Sequence, residues 1–223
     1  MLERADPDRA KASRWFFKTG PGQYGEGDRF LGITLPVLRR LTREYEGLTA
    51  PSIVRLLKSP WHEERLLALL ILVRQYARAD AATRDALYQC YVSNRGRINN
   101  WDLVDCSAPQ IVGAHLQQRG RRFLRELARS PSLWDRRIAI LATFHFIKAG
   151  EFDDSLAIAR MLLADRQDLI HKAVGWMLRE IGKRDRQVLE RFLQAHGKRM
   201  PRTALRYAIE RFPEPLRRRY LSM

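Results

Sequence analysis

Apolar helical segments recur at a nearly constant interval along this chain, and that recurrence limits its fold more than any other feature. Four segments share a polar or aromatic start followed by a strongly apolar helix. They are WHEERLLALLILVRQY from Trp61, NNWDLVDCSAP from Asn99, WDRRIAILATFHFIKAG from Trp134 and LIHKAVGWMLREIGK from Leu169. Superimposing Leu66, Asp102, Arg137 and Lys172 gives steps of about 35 residues, and MPRTALRYAIERF near Arg202 continues the series with a slightly shorter step. Amphipathic stretches such as RRFLRELARS and DDSLAIARMLLAD lie between them. A helix pair recurring at roughly 35–45 residues reads as an α-solenoid, because one pair cannot bury its apolar face without a stacked neighbour. On periodicity alone a plain helical bundle is the alternative.

Other punctuation agrees with an all-α chain. No alternating Val/Ile/Thr run and no Asn-Gly hairpin occurs. Pro36, Pro51, Pro60, Pro131 and Pro201 stand where one helix should end and the next begin. No linker or composition shift divides the chain. The reading is one domain over 1–223, with an N-terminal helix and glycine-rich loop in 1–34 and helical repeats in 35–223.

Charge narrows the partner. Among 223 residues Lys plus Arg number 41 and Asp plus Glu 25, a net charge of +16, which favours a polyanion. Arg119, Arg121, Arg122, Arg125 and Arg129 form one cluster. Lys198, Arg199, Arg202, Arg206, Arg211, Arg217, Arg218 and Arg219 crowd the C-terminus. Such runs are usually a solvated face; here the excess favours a phosphate-backbone footprint. Cys90 and Cys106 form no CxxC pair, and the five histidines show no ligand spacing. No metal and no cofactor is therefore expected, and most histidines read as surface or capping residues. No apolar run reaches the ~18 residues of a membrane span, and the start lacks an apolar signal core. The expectation is a cytoplasmic protein, associated with the nucleoid through DNA. Gly20–Gly25 matches GxGxxG, but no strand precedes it and no βαβ unit follows. It reads as an entry loop, with Tyr24 presented toward a ligand as a further reading.

The most informative constellation is aromatic and acidic. Trp101 and Asp105 are four residues apart and share a helix face. Arg137 and Lys172 hold matching positions one and two repeats later, and Trp176 follows Lys172 by four. Equivalent positions of stacked repeats line one strip. Each tryptophan also has a core reading, and Asp105 a capping or Arg137-pairing one. A carboxylate between indoles in a basic groove suits a cationic lesion within an anionic polymer. Purines alkylated at N3 or N7 are positively charged, and losing one leaves an oxocarbenium-like sugar. Asp105 would stabilise that growing charge, the indoles would add cation–π attraction, and Arg137 would hold a phosphate.

The chain resembles the AlkD-like DNA alkylation repair enzymes through RFLGITLPVLRRL (29–41), INNWDLVD (98–105), LWDRRIAIL (133–141), IHKAVGWMLREIGK (170–183) and MPRTALRYAIERF (200–212). The resemblance implies a right-handed α-solenoid of HEAT-like helical repeats with a concave basic DNA-binding face. It implies a DNA glycosylase that releases N3- and N7-alkylated purines from double-stranded DNA without turning the base into a pocket. In that family the Asp matching Asp105 promotes glycosidic cleavage. The tryptophans matching Trp101 and Trp176 contact the lesion's deoxyribose, and the arginine matching Arg137 contacts the backbone. Tyr24, Lys172, Arg202 and Arg206 complete the candidate DNA-binding set. No membrane partner is expected, and a monomer suffices. Two rivals need the arginines but not Asp105: a non-catalytic binder of damaged or branched DNA, and a helical-repeat adaptor for an acidic protein.

Overall fold

The computed structural model describes residues 1–222. Among them no β-strand occurs; Arg29 and Trp61 form an isolated parallel bridge, in which the His62 amide donates to the Arg29 carbonyl at 2.8 Å. The protein is all-α, as the periodicity requires. Its contacts divide it into two compact units, Met1–Ile111 and the chain from Val112 onward.

The first unit contains α1 (Pro7–Phe16), α2 (Leu35–Glu44), α3 (Ala50–Leu57), α4 (His62–Arg78), α5 (Ala81–Ser93) and α6 (Trp101–Asp105). Helix α4 is its axis: α2, α3, α5 and α6 all pack on it. The run of Leu66, Leu67, Leu69, Ile71 and Leu72 on α4 is buried nearly all round, as expected of a helix with neighbours on most sides. The second unit contains α7 (Ala114–Leu116), α8 (Arg122–Ala128), α9 (Leu133–Ala142), α10 (Phe144–Lys148), α11 (Asp153–Met161), α12 (Asp168–Gly182), α13 (Arg186–His196), α14 (Arg202–Ala208) and α15 (Glu214–Leu221). Here α9, α12 and α14 pack in a row, α8 lies on α9, α11 lies on α8, α9 and α12, and α13 lies on α12. This is the layering of stacked helix pairs. Gly175 permits the closest approach in the row: a Cβ there would sit 2.4 Å from the Ala204 carbonyl oxygen.

Local chemistry sets the boundaries. All five marker prolines stand within two residues of a helix start: Pro36 in α2, Pro51 in α3, Pro60 before α4, Pro131 before α9 and Pro201 before α14. Asp6, Asp80, Asn100, Ser132 and Asp185 cap first-turn amides with their side chains. Two apolar segments that read as single helices are broken. After α6 the chain passes through a π-helical turn over Pro109–Gly113, where proline brings no N–H to an α-helical ladder. The segment from Trp134 is divided at Thr143, whose hydroxyl donates to the Ile140 carbonyl at 2.7 Å.

The loop ahead of α2 is anchored from α4. The Glu63 carboxylate accepts the amides of Leu31, Gly32 and Ile33 at 2.9, 2.8 and 3.3 Å. Gly32 has φ +78°, and a Cβ there would lie 2.2 Å from the Asp6 carbonyl, so the position admits only glycine.

Candidate functional site

Helix α6 starts from a buried polar cluster. His62, at the first position of α4, is 2% exposed. Its Nδ1 donates to Asp28 Oδ2 at 2.9 Å and its Nε2 to Asp102 Oδ2 at 2.8 Å. Arg65, one turn along α4, pairs with the other oxygen of Asp28 and donates to the Ser59 carbonyl at 3.0 Å. Asn100 is fully buried; it caps the Trp101 amide at 2.8 Å and donates through Nδ2 to Asp28 at 3.2 Å. Two anions and two cations thus meet, with the side chains of His62, Arg65 and Asp28 buried and that of Asp102 partly exposed. Burial pushes the His62 imidazole toward neutrality, but the bonds to Asp102 and Asp28, and their charges, outweigh it and raise its pKa to about 9. The ring is an imidazolium at neutral pH, which lets both nitrogens donate. Burial likewise works against the Asp28 anion, yet His62 and Arg65 hold its pKa below the ordinary value.

Trp101 and Asp105 occupy the two ends of α6, and both are half-buried. The Trp101 ring stacks on Phe17 at 5.4 Å and meets the edge of Phe16 at 5.8 Å. Phe17 stacks in turn on Phe30 at 5.0 Å, and both phenyl rings lie against the His62 imidazole, at 4.9 and 4.6 Å. The indole is therefore neither core nor loose; it is the outer member of an aromatic pile rooted on His62. Asp102 accepts the Leu103 amide at 2.9 Å as well as the His62 bond. The Cys106 thiol is pushed far upward, first by burial and then by the charges of Asp102 and Asp105, which places both carboxylates close to it. Tyr24 is half-buried, with its hydroxyl donating to the Phe16 carbonyl at 3.4 Å.

The remaining predicted residues belong to the second unit. Arg137 is 5% exposed, and its Nη1 donates to the Leu169 carbonyl at 2.6 Å, at the start of α12. Lys172 and Trp176 follow on α12, one turn apart and both half-buried. Lys172 pairs with Asp168 at 2.8 Å, and Trp176 faces Phe144 at 6.0 Å. Arg202 and Arg206 are exposed on α14, Arg202 donating to the Leu221 carbonyl at 2.8 Å. Much of the central arginine cluster is paired internally. Arg121 bonds Glu151 at 2.5 Å and Asp154 at 2.9 Å, Arg125 reaches Asp154 at 3.4 Å, and Arg122 pairs with Glu126 at 2.9 Å.

Sequence reasoning missed His62, Asp28 and Asp102. The reading of the histidines as surface or capping residues is corrected for His62, which lies inside the first unit between two carboxylates. No local signal pointed there, since its partners are 34 and 40 residues away. Among the described residues no group of His, Cys, Asp and Glu is arranged to hold a metal, and no helix is long and apolar enough to cross a membrane.

Comparison with known proteins bears on the fold and the family. A solved structure described as a predicted DNA alkylation repair enzyme from Enterococcus faecalis is 16% identical and superposes with a TM-score of 0.71, over 95% of this chain and 98% of that one. At that identity the likeness is one of fold. No curated protein matches the chain. The family described as DNA alkylation repair enzyme matches residues 1–212, a span that takes in α6 with its Trp101 and Asp105 and the α9–α12–α14 row alike. The chain belongs to the DNA alkylation repair enzyme family.

Proposed function

We propose that the protein is an alkylpurine DNA glycosylase, hydrolysing the N-glycosidic bond of positively charged N3- or N7-alkylated purines such as 3-methyladenine and 7-methylguanine in duplex DNA. One observation carries the reading. Helix α6 brings an indole and a carboxylate, Trp101 and Asp105, to the protein surface one turn apart. The other acid of that helix, Asp102, is occupied by His62.

The departing purine already carries its positive charge, so no strong acid is needed to expel it. What remains is an electron-poor sugar. A carboxylate about 4 Å away at an effective dielectric near 20 stabilises that charge by about 4 kcal/mol, on the order of a thousandfold in rate. Asp105 supplies this and orients the attacking water, which gives its proton to the Asp105 carboxylate as it adds to the sugar carbon, while the bond electrons leave with the purine as a neutral base. Trp101 and Trp176 offer indole faces to the lesion nucleotide. Tyr24, Arg137, Lys172, Arg202 and Arg206 serve the DNA backbone. Nothing in this scheme calls for a cofactor.

The test is release of free methylpurine from N-methylated duplex DNA. Asp105→Asn should lower the single-turnover rate about a thousandfold and leave duplex binding unchanged. Equal rates in the two proteins would remove Asp105 from the chemistry and favour a non-catalytic DNA binder. Duplex affinity should also fall with log[salt] at a slope of about −0.9 per phosphate contacted; a flat response would favour an acidic protein partner.

A further inference from the structure

The cluster beneath α6 uses a titratable group where a purely structural joint would not need one. His62, Asp28, Asp102, Asn100 and Arg65 come from α4, from the loop before α2 and from the start of α6. Two of them, Asn100 and Asp102, flank Trp101 in sequence and are both tied into the cluster. The charged groups facing the imidazole are Asp28 and Asp102, with Arg65 behind Asp28; Phe17 and Phe30 lie against the ring, and Phe17 also carries the Trp101 ring.

We propose that His62 is a positioning residue, whose two-sided hydrogen bonding to Asp28 and Asp102 fixes the first turn of α6 and so aims Trp101 and Asp105. The inference rests on the reading of α6 as the catalytic helix. A neutral imidazole has one N–H and can donate to only one of the two carboxylates; the other loses its His62 bond, leaving Asp28 to Arg65 and Asn100, or Asp102 to the Leu103 amide. The ring holds its proton to about pH 9, so the joint is closed at neutral pH and opens in alkali. Removing one carboxylate should let the proton leave earlier, while an asparagine at 102 keeps both size and hydrogen bonding.

The experiment follows two signals from about pH 6.5 to about 10 in wild type, Asp102→Asn and His62→Gln. One is single-turnover release of 7-methylguanine from N7-methylated duplex DNA, after subtraction of the enzyme-free rate. The other is the Trp101 indole N–H resonance, assigned with Trp101→Phe. In wild type the rate should drop about tenfold or more near pH 9, as aim is lost, with the resonance moving in step. Asp102→Asn should show both changes at lower pH while still unfolding cooperatively. His62→Gln should be slow with no alkaline step. Variants that retain the wild-type pH curve, or lose rate only in proportion to lost folded protein, would overturn the proposal. So would an indole resonance indifferent to pH and to both substitutions, even in a protein that excises methylpurine. A resonance that steps as expected in a protein releasing no methylpurine would instead sink the glycosylase reading and leave the positioning role standing.

Discussion

Ser59–Arg65 in the first unit and Ser130–Arg136 in the second solve one local problem with different partners. In both, an arginine donates Nη1 to the carbonyl of the serine six residues earlier, at 3.0 Å. Each guanidinium then meets a buried aspartate, Asp28 for Arg65 and Asp165 for Arg136. Each aspartate also bonds the residue that starts a helix carrying a predicted site tryptophan. Asp28 accepts from Asn100 ahead of Trp101; Asp165 accepts the Gln167 amide at 2.9 Å ahead of α12 and Trp176. The difference lies in the next layer. The first unit has His62 and Glu63 where the repeat places Leu133 and Trp134 in the second. The same framework thus carries a titratable joint in one unit and two apolar side chains in the other. A repeat conserves its backbone bracing and leaves neighbouring positions to specialise.

Cutting the two aspartates separates these roles most sharply. Asp28→Ala strands the Arg65 cation in the interior, leaves His62 with Asp102 alone, and should cost about 3–5 kcal/mol. Asp165→Ala deprives one partly exposed arginine and should cost about 1–3 kcal/mol. Urea unfolding of both variants measures the gap, and equal losses would erase the distinction. Alkali provides the next contrast. The folded-state pKa of His62 is raised from 6.5 to about 9, so its contribution is complete below about pH 6.5 and disappears as pH rises through about 9. That contribution is about 3 kcal/mol, and urea midpoints at pH 7 and 10 should differ accordingly. Asp28, lowered from 3.8, works in the opposite sense: its contribution is present above the ordinary carboxylate range and lost as pH falls through its depressed value. A midpoint unchanged in alkali would show that the imidazole carries no charge. The smallest effect belongs to the exposed Arg122–Glu126 pair, with side chains 90% and 52% exposed. Glu126→Gln should shift stability by less than about 0.5 kcal/mol, and a loss rivalling that at Asp28 would refute the ranking.

Helix spacing was readable because apolar residues at three and four declare a face without knowledge of its neighbours. Leu38 and Leu41, or Ile53 and Leu57, are buried as their spacing requires. The prolines were equally legible, since their effect is on their own backbone. Trp101 and Asp105 could be placed on one helix for the same reason, and their half-exposure matches neither a core nor a fully solvated reading. His62 could not be found this way. Its meaning comes from Asp28 and Asp102, brought to it by tertiary folding, and HEE alone resembles an ordinary charged first turn. Arg136 and Arg137 show the same limit. Adjacent on α9, they turn to different partners, Asp165 and the Leu169 carbonyl, and composition cannot tell which does which.

Glu63 gives the loop ahead of α2 an unusual thermodynamic standing. Its carboxylate gathers three successive amides, Leu31 to Ile33, that have no strand to pair with. Peeling that loop away would abandon a carboxylate in the interior, so the segment cannot fray independently of α4. These amides should take up deuterium as slowly as the middle of a long helix, making an irregular stretch one of the last parts of its unit to open.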